Sequence, residues 1–547
     1  MPLFSLVLPT LRRPDTFQYA LRTLVNQTQR DFEIVVQNNG RDRQTEDIIA
    51  SLGDDRIRHF WSDEILPMSR NWELALSNAR GEYITFIGDD DGLFSDACQI
   101  ASGLIGHNKA DIVSWRPFSY YWGSHIISER KNRLLADVHS NVEIKLIDSR
   151  QQLLAFYNFK LHYSQLPMIY NSFVSRSLVD QVIKKTGRYF LGVTPDVTSG
   201  IVNAACSKQF ILINRPLSIA GLSGHSTGHN VTLSPPGWIS AEEVKVALGH
   251  INFDSRLVPA NNNLEMMLAN DALLVRDLLF LDDKQINIDF RRLAQSVASA
   301  INDRPWFYQE TMRAVEELAA KHHFSVGDIS FPAPIDCVPP MIPGETPRGE
   351  QRTLHIIDCD AAGIDHVSDA VAYTERNLLK PLDDVKSLHL LESTKFDIPS
   401  AAWEEKLFFC EEGNGVPGLE YGWGAPETWG TWSINNYMLL RFGISGVEEN
   451  AFQVECCMRA FLYQHHKSID FECRSRNTVL FRKTIMKSGS HIHRWEIPLS
   501  SRESKEHVEL EFRVENPTSP AELGASADTR LLGIGLEWLR IVRSNQI

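Results

Sequence analysis

Three consecutive carboxylates follow an apolar run within the first hundred residues. Residues 83–91 read Tyr-Ile-Thr-Phe-Ile-Gly-Asp-Asp-Asp, so a predicted buried strand runs into Asp89, Asp90 and Asp91. Neighbouring carboxylates raise each other's pKa, so three close together stay ionised only beside a cation. Hard divalent cations such as Mg²⁺ use one or two carboxylates together with substrate phosphates. The motif predicts such a cation site, and the alternative is an acidic, solvated turn.

The chain around this motif alternates between strands and helices. Apolar runs predict strands at residues 4–8, 32–36 and 57–60, and helical spacing predicts helices at residues 15–27, 45–52 and 69–79. This alternation is typical of a parallel α/β sheet, in which ligands bind beyond the carboxyl ends of the strands. Polar residues stand at two more of these ends, namely Pro9, Thr10, Asn38 and Asn39. We therefore expect one site along this sheet edge.

The segment also resembles the family 2 glycosyltransferases of the GT-A fold, over about residues 3–225. The resemblance rests on Leu6-Val-Leu-Pro-Thr10, Leu24-Val-Asn-Gln-Thr28, Phe32-Glu-Ile-Val-Val36, Asn39-Gly40, Asn71 and the stretch from Gly81 to Asp91. It implies a nucleotide-sugar donor, a divalent cation (Mg²⁺ or Mn²⁺) and, in most members, inversion at the anomeric carbon. The implied metal ligands are Asp89 and Asp91, with Asp91 as the foremost direct ligand. The implied donor-binding residues are Pro9, Thr10, Asn38, Asn39, Asn71 and Asp90.

One position departs from the family pattern. Many relatives carry an aspartate that holds the nucleobase where this chain has Asn38. An asparagine carbonyl still accepts a hydrogen bond from a uracil or thymine ring N–H, but without the assistance of charge. The identity of the nucleobase therefore stays open. Arg12 and Arg13 after the first strand are candidates for the donor diphosphate, and His225 or His229, in a Gly-Ser-His loop, for the cation or the donor phosphate.

Inverting transfer needs a base for the proton of the acceptor hydroxyl, and a carboxylate within hydrogen-bond reach is suited to this. Leu191-Gly-Val-Thr-Pro-Asp196 precedes a predicted helix at residues 197–206 and resembles the acidic motif that supplies the base in this family. Asp196 is therefore the predicted catalytic residue, and Asp63, Glu64 and Asp96 are rival candidates that fit the pattern less well. The structural alternative is that Asp196 only caps the helix or stabilises its N-terminal dipole.

Composition fits an ordinary globular enzyme of several domains. The 547 residues are 43% hydrophobic and 23% charged, and acidic residues outnumber basic ones by 69 to 55. No extended basic stretch points to a nucleic-acid partner. The first strand begins at residue 3 or 4, and no apolar run reaches 18 residues, so neither a signal peptide nor a transmembrane helix is expected. The eight cysteines have no metal spacing, and disulfides are not expected. These features predict a cytoplasmic protein.

Pattern changes along the chain predict four segments. They are a GT-A catalytic domain at residues 1–235, a helical region at 236–330, a proline-rich linker at 331–352 and a β-rich domain at 353–547. Short alternating strands predict a β-sandwich or jelly-roll core at about residues 405–547. This core resembles carbohydrate-binding-type sandwiches appended to some bacterial surface-polysaccharide glycosyltransferases. Trp423, Trp429 and Trp432 are candidates for stacking on sugars, and the alternative is that they fill the core.

Two classes of function remain at this stage. The first is a metal-dependent, inverting glycosyltransferase that extends a bacterial glycan such as O-antigen, capsule or another surface polysaccharide. Its partners are a nucleotide sugar and an oligosaccharide or lipid-linked acceptor, the latter implying peripheral contact with the inner face of the membrane. The second is a non-catalytic glycan-binding scaffold with a degenerate GT-A domain, which Asn38 favours. A nucleotidyltransferase is disfavoured, because residues 11–15 read Leu-Arg-Arg-Pro-Asp instead of a glycine-rich phosphate loop. Oligomeric state stays open.

Overall fold

The computed structural model divides the chain into two compact units. The first comprises Met1–Ile329, Ala333–Pro347 and Gln351–Thr394, and the second comprises Ser330–Pro332, Arg348–Glu350 and Lys395–Ile547. The residues that the structure describes are 1–226, 231, 234–235, 244, 246, 248–249, 251–260, 263–347, 352–380, 390–391, 400–410, 413–421, 423–424, 426–434, 436–444, 451–475, 478–498, 507–520, 523, 525, 530 and 532–543.

The first unit contains a nine-stranded mixed sheet. Its strands, in spatial order, are β15 (Leu390–Leu391), β9 (Ile144–Asp148), β11 (Gln209–Ile213), β6 (Ile112–Ser114), β10 (Ser172–Ser175), β4 (Tyr83–Phe86), β1 (Phe4–Thr10), β2 (Phe32–Asn39) and β3 (Ile57–Ser62). β1 pairs in parallel with β2 and β4, and β2 pairs in parallel with β3. The predicted strands are confirmed, and their carboxyl ends lie at one edge of the sheet. Every residue of β1 and β2 is buried, which explains their near-continuous apolar sequence.

A second sheet in the first unit has six strands. In spatial order they are β13 (Gly344–Pro347), β14 (Arg352–Asp358), β8 (Arg133–His139), β7 (Phe118–Tyr121), β12 (Ser218–Leu222) and β5 (Gly92–Leu93). β14 is antiparallel to β8 along all of its residues. The structure therefore differs from the predicted boundary at 352/353, because residues 351–394 belong to the first unit. Part of the predicted linker is likewise the strand β13, which pairs with β14.

Helices cover these sheets and also form the middle region. Those described are α1 (Pro14–Val25), α2 (Arg43–Leu52), α3 (Met68–Asn78), α4 (Ala97–Asn108), α5 (Ser149–Tyr157), α6 (Arg176–Thr186), α7 (Pro195–Cys206), α8 (Leu264–Leu279), α9 (Phe290–Ser299), α10 (Tyr308–Lys321), α11 (Cys359–Ala362) and α12 (Val367–Asn377). The predicted helices at residues 15–27, 45–52 and 69–79 are α1, α2 and α3. Phe17 and Leu21 of α1 lie at helical spacing, and both are buried in the core cluster that contains Leu6 of β1.

The second unit contains two all-β sheets, as its sequence predicts. One sheet has β16 (Ser400–Ala401), β20 (Tyr437–Ile444), β25 (His507–Val514), β22 (Ile469–Ser475) and β23 (Thr478–Ile485), with β18 (Leu419–Tyr421) also on β20. The other has β17 (Lys406–Phe408), β26 (Ile534–Val542), β21 (Ala451–Ala460) and β24 (His491–Pro498), with β19 (Thr431–Trp432) also on β26. Residues from both sheets form one hydrophobic core, which includes Leu440, Val454 and Phe512.

Candidate functional site

The acidic motif lies just beyond the end of β4, beside the end of β1. Asp89, Asp90 and Asp91 are 3%, 5% and 2% exposed, so the motif is a buried turn rather than a solvated one. The hydroxyl of Thr10 donates to Oδ2 of Asp89 at 2.7 Å, and Nη1 of Arg13 lies 3.0 Å from Oδ1 of the same carboxylate. The guanidinium and the hydroxyl together compensate the burial of Asp89.

Asp90 is held by the loop that follows β12. The Oγ atoms of Ser223 and Ser226 donate to Oδ2 of Asp90 at 2.7 and 2.5 Å. The backbone N–H of His225 donates to Ser223 Oγ, while the His225 ring is exposed, with Nε2 3.9 Å from Asp15 Oδ2. The predicted Gly-Ser-His loop therefore contacts the motif through serines, and His225 lies beside it. His229 lies outside the described residues.

Asp91 is bonded mainly to the backbone. The N–H groups of Gly221 and Gly88 donate to its Oδ1 and Oδ2 at 2.7 and 2.8 Å, and the hydroxyl of Tyr170 forms a further hydrogen bond. Burial and the neighbouring charge of Asp90 raise the pKa of Asp91 to about 8, and the hydrogen bonds from Tyr170 and the two N–H groups act in the opposite direction. Both oxygens of Asp91 are thus committed to holding the turn together.

These carboxylates are chemically suited to a hard divalent cation. Burial and the charge of Asp89 raise the pKa of Asp90, and a cation would offset this cost. The hydrogen bonds described for Asp90 all reach Oδ2, whereas both oxygens of Asp89 and Asp91 have partners. Among the described residues no group of three or more His, Cys, Asp or Glu side chains is arranged so that it could hold a metal ion. A cation at this turn would also be bound by phosphates of the substrate. Because the hydrogen bonds of the Asp90 side chain all reach Oδ2, Asp90 is better suited than Asp91 to bind the cation directly.

The two asparagines at the end of β2 organise the adjacent loops. Asn38 is fully buried, with its Nδ2 donating to the carbonyl of Asp42 and its Oδ1 accepting from the N–H of Asp42. Asn39 bonds to both the N–H and the carbonyl of Leu66, and it also accepts from Ser62. Both the amide N–H₂ and the carbonyl oxygen of the Asn38 side chain are therefore hydrogen-bonded to the backbone of Asp42.

The remaining predicted donor residues have different surroundings. Asn71 on α3 is 4% exposed, and its Oδ1 has no hydrogen-bond partner among the residues that the structure describes. A hydrogen-bond donor on a ligand could satisfy this buried acceptor. Arg12 is exposed and has a backbone φ of 52°, while Arg13 points to Asp89. Pro9 is the buried residue of β1 next to Thr10 and opposite Gln37 of β2.

An aromatic residue that the sequence did not single out stands at the same sheet edge. Trp61 of β3 pairs in register with Asn38 of β2 and is 45% exposed. The guanidinium of Arg41 lies 4.7 Å from its ring centroid. An exposed tryptophan of this kind offers a flat surface for a nucleobase or a sugar ring. The available signal in the sequence was only its position at the end of a short strand.

Asp196 lies in the first turn of α7, directly after Pro195. Burial raises the pKa of Asp196, and hydrogen bonds from the backbone oppose that shift. The charges of Asp91, Asp90 and Asp196 all help to raise the pKa of the buried Tyr170 well above its usual value, after the larger effect of burial. The structure thus brings Asp196 within electrostatic reach of the phenol that bonds Asp91. The N-cap position itself is occupied by Thr194, so Asp196 is not the capping residue.

The three candidate tryptophans of the second unit have internal contacts. Trp423 donates from Nε1 to the carbonyl of Leu439 and packs edge-on against Phe512. The ring centroids of Trp429 and Trp432 are 4.9 Å apart, and the guanidinium of Arg459 lies over the Trp429 ring, 4.3 Å from its centroid. Each of the three is only partly exposed. These contacts favour the alternative that the tryptophans support the fold, and sugar stacking by them stays a prediction.

A cavity of about 420 Å³ lies elsewhere in the second unit. Its walls are Trp403, Glu404, Arg494, Arg540, Val542 and Arg543. Arg494 and Arg540 also pair with the buried Glu455 between them, which stands opposite both in the strand register. The cavity is separate from the three tryptophans that the sequence singled out.

Comparison with known proteins finds similarity over part of the chain. Residues 5–173 match the family model described as glycosyl transferase family 2. A Campylobacter jejuni GalNAc(5)-diNAcBac-PP-undecaprenol beta-1,3-glucosyltransferase is 33% identical over 100 residues, 18% of this chain and 32% of that protein. A Mycobacterium bovis PGL/p-HBAD biosynthesis glycosyltransferase is 31% identical over 134 residues, 22% of this chain and 51% of that protein. The chain thus spans about a third to a half of the length of these relatives.

Solved structures with similarity include Staphylococcus aureus TarS 1–349 in complex with UDP-GlcNAc. That match has 13% identity and a TM-score of 0.36, and it covers 58% of this chain and 83% of the other. The mannosyltransferase PcManGT from Pyrobaculum calidifontis in complex with GDP-Man and Mn²⁺ has 13% identity and a TM-score of 0.33, covering 60% and 77%. Scores this low do not by themselves establish a common fold.

The acidic turn at the carboxyl edge of the α/β sheet lies within the segment, residues 5–173, that matches this family model. This segment is therefore similar to glycosyl transferase family 2, as the sequence resemblance implied. Within the described residues, we find no helix with the length and apolar character needed to cross a bilayer.

Proposed function

We propose that this chain transfers a sugar from a nucleotide-sugar donor to a hydroxyl group of a growing bacterial glycan, with inversion at the anomeric carbon. One observation carries the proposal most directly: buried carboxylates lie at the carboxyl edge of a parallel sheet, and the charges of Asp90, Asp91 and Asp196 all act on the same buried phenol, that of Tyr170. Parallel α/β sheets bind their ligands at this edge.

The donor is proposed to bind between the ends of β1, β2 and β4. Asp89, Asp90 and Asp91 would present Mg²⁺ or Mn²⁺, with Asp90 as the favoured direct ligand, and the ion would neutralise charge on the leaving diphosphate. Arg12 stands next to Arg13 at the start of α1, and its exposed side chain is available to the diphosphate. The buried Oδ1 of Asn71, which has no hydrogen-bond partner among the described residues, would accept a hydrogen bond from the nucleotide sugar. Trp61 and Asn38 border the proposed nucleobase side of the site.

Asp196 is proposed to act as the general base. In the chemical step it removes the proton of the acceptor hydroxyl, whose oxygen attacks the anomeric carbon while the nucleoside diphosphate leaves from the opposite face. A single displacement of this kind inverts the anomeric configuration. Burial raises the pKa of Asp196, which makes the carboxylate a stronger base than a solvated aspartate.

The acceptor is proposed to be an oligosaccharide or a lipid-linked glycan. The Campylobacter jejuni relative is named for an undecaprenol-linked glycan, which supports a lipid-linked acceptor here. Such an acceptor would bring the protein to the inner face of the bacterial membrane as a peripheral protein. The proposed location is therefore the cytoplasm and this membrane face.

The proposal is tested by screening nucleotide sugars with and without Mn²⁺, first by thermal shift and then by product analysis. We expect one donor to stabilise the protein only when Mn²⁺ is present and to yield a product of inverted configuration by NMR. Asp196→Asn keeps the shape of the side chain but cannot take a proton, so turnover should fall by about 10²–10⁴-fold with donor binding intact. A product with retained configuration at the anomeric carbon, or full activity in excess EDTA, would contradict the mechanism. Glycan binding without turnover of any donor would instead support the alternative of a degenerate, non-catalytic scaffold. The hydrogen bonds of the Asn38 side chain to the backbone of Asp42 favour that alternative.

A further inference from the structure

The segment that leads into Asp196 has no helix or strand of its own. Residues 187–194 connect α6 to α7, and several of their side chains are buried, including Tyr189, Phe190 and Leu191. Buried backbone N–H groups need hydrogen-bond partners, and a buried connection cannot obtain all of them from water. Two carboxylates from different helices supply four of these partners.

The first carboxylate is Glu73 on α3. Its Oε1 accepts from the N–H of Tyr189 at 3.0 Å, and its Oε2 accepts from the N–H of Phe190 at 2.9 Å. The same helix carries Asn71 and Trp72, and the ring of Trp72 is parallel to that of Tyr170 at 6.0 Å. Glu73 therefore ties the beginning of the connection to the helix whose Trp72 lies beside Tyr170, the phenol that hydrogen-bonds Asp91.

The second carboxylate is Asp271 on α8. It is fully buried, and its Oδ2 accepts from the N–H groups of Val193 and Thr194 at 2.9 and 2.7 Å and from the Thr194 hydroxyl at 2.6 Å. Gly192 has a φ of 64°, and a Cβ built there would lie 2.2 Å from Asp271 Oδ1. The contact therefore requires a glycine at 192 both for conformation and for space.

We propose that Glu73 and Asp271 are positioning residues for the catalytic base Asp196. Together they fix both ends of the connection that precedes Pro195 and Asp196, so they set where α7 begins and where its first carboxylate lies. The inference depends on the proposed function, because it assigns these residues to the placement of the proposed base. It also gives the helical middle region a catalytic purpose, since α8 supplies Asp271.

The test is a double-mutant cycle on the full chain with the donor that the screen identifies. Glu73→Gln and Asp271→Asn are measured alone and combined with Asp196→Asn. Displacing a catalytic group by about 1 Å can cost about 10²-fold, so each single variant should lower kcat by about 10–100-fold with the donor KM within about twofold. If both residues act through Asp196, they should lower kcat by less than about threefold in the Asp196→Asn background.

Four further variants make the result decisive. Asp277→Asn, on the same helix as Asp271 but paired with Arg256, should leave kcat unchanged. Gly192→Ala keeps both carboxylates but displaces the connection, and it should reproduce the loss of kcat. Glu73→Ala and Asp271→Ala should be less active than Glu73→Gln and Asp271→Asn, which retain an acceptor oxygen.

Each other outcome has a distinct meaning. An equal loss of kcat in the wild-type and Asp196→Asn backgrounds would overturn the positioning role and indicate a purely structural one. Unchanged kcat in both single variants would overturn it as well. Full activity of Asp196→Asn alone would refute the proposed base itself, and with it the assignment of positioning residues to it.

Discussion

The backbone N–H of Gly221 donates to Oδ1 of Asp91 at 2.7 Å, although the two residues are 130 positions apart in the chain. This bond ties the end of β12 to the acidic turn, and it places Ser223 and Ser226 where they reach Asp90. The approach is close enough that a Cβ on Gly221 would lie 1.7 Å from the carbonyl oxygen of Asp90. Glycine is therefore required here by space, and the acidic motif depends on it.

Gly221→Ala should consequently damage the proposed cation site. We expect the free energy of unfolding to fall by at least about 1–3 kcal/mol, because the new methyl group can fit only if backbone shifts. Mn²⁺-dependent donor binding should be lost at the same time, as measured by calorimetry. Gly106→Ala in α4 is the control, because a Cβ there meets nothing within 4 Å. It should leave binding unchanged and gain up to about 1 kcal/mol of stability.

Substitution of Asp90 and substitution of Asp91 should have different effects on stability and on Mn²⁺-dependent donor binding. Asp91→Asn places an amide N–H₂ where two backbone N–H groups and a phenol already converge, so it should cost about 1–3 kcal/mol of stability. Asp90→Asn still accepts from Ser223 and Ser226, so its melting temperature should change little. Its Mn²⁺-dependent donor binding should nevertheless disappear. Intact Mn²⁺ dependence in Asp90→Asn, together with its loss in a stable Asp91→Asn, would restore Asp91 as the direct ligand.

Local pattern predicted the first sheet because its strands are apolar and its helices amphipathic. The role of β14 was not predictable in the same way. Residues 352–358 look like any strand, and their pairing with β8 joins positions more than 200 residues apart. The predicted domain boundary was therefore placed before two strands, β14 and β15, and two helices, α11 and α12, that belong to the first unit. Carboxylates such as Glu73 and Asp271 were missed for the same reason, because their partners are brought near only by the tertiary fold.

We expect His125 to make the stability of the first unit sensitive to acid. Burial lowers the pKa of His125 to about 4, with Arg130 and Lys131 adding to the effect, whereas an unfolded histidine titrates near 6.5. Because the folded pKa is the lower one, its contribution is fully present above about pH 6.5 and is lost as the pH falls through 4. The loss is up to about 3 kcal/mol.

His125→Asn removes this titration while keeping an acceptor near the N–H of Ile127, which Nδ1 of His125 contacts at 3.1 Å. We expect urea unfolding of the variant to depend less on pH between 7 and 4 than that of the wild type. His465→Asn, at an exposed position, serves as the control and should keep the wild-type dependence. An identical pH dependence in His125→Asn and the wild type would contradict the prediction.

The tryptophans of the second unit should act mainly on stability. Trp423→Ala removes a hydrogen bond and a packed ring, so we expect it to lower the free energy of unfolding of this unit by about 2–4 kcal/mol. Phe408→Ala is a suitable control, because Phe408 is 43% exposed. Loss of glycan binding in Trp423→Ala, Trp429→Ala or Trp432→Ala with unchanged unfolding would instead identify a stacking surface.

Two truncations should separate the second unit from the first. Deleting residues 353–547 removes nearly all of β14 together with α12, whose buried Val367 and Ala370 share a core cluster with Phe94 and Phe118. This protein should be destabilised and inactive. Deleting residues 395–547 keeps both sheets of the first unit, so transfer to a small acceptor should persist. If the second unit binds glycan, it raises the local concentration of a long acceptor, and the shorter deletion should weaken the use of long acceptors far more than short ones.

Acceptor-length series with both truncations and the full chain provide the measurement. A purely structural second unit predicts an unchanged ratio of kcat/KM for long and short acceptors after deletion of residues 395–547, with a lower melting temperature as the main effect. Equal activity of the two truncations would contradict the assignment of β14 and α12 to the first unit. Because β14 pairs with β8 along its whole length, we expect the longer deletion alone to abolish transfer.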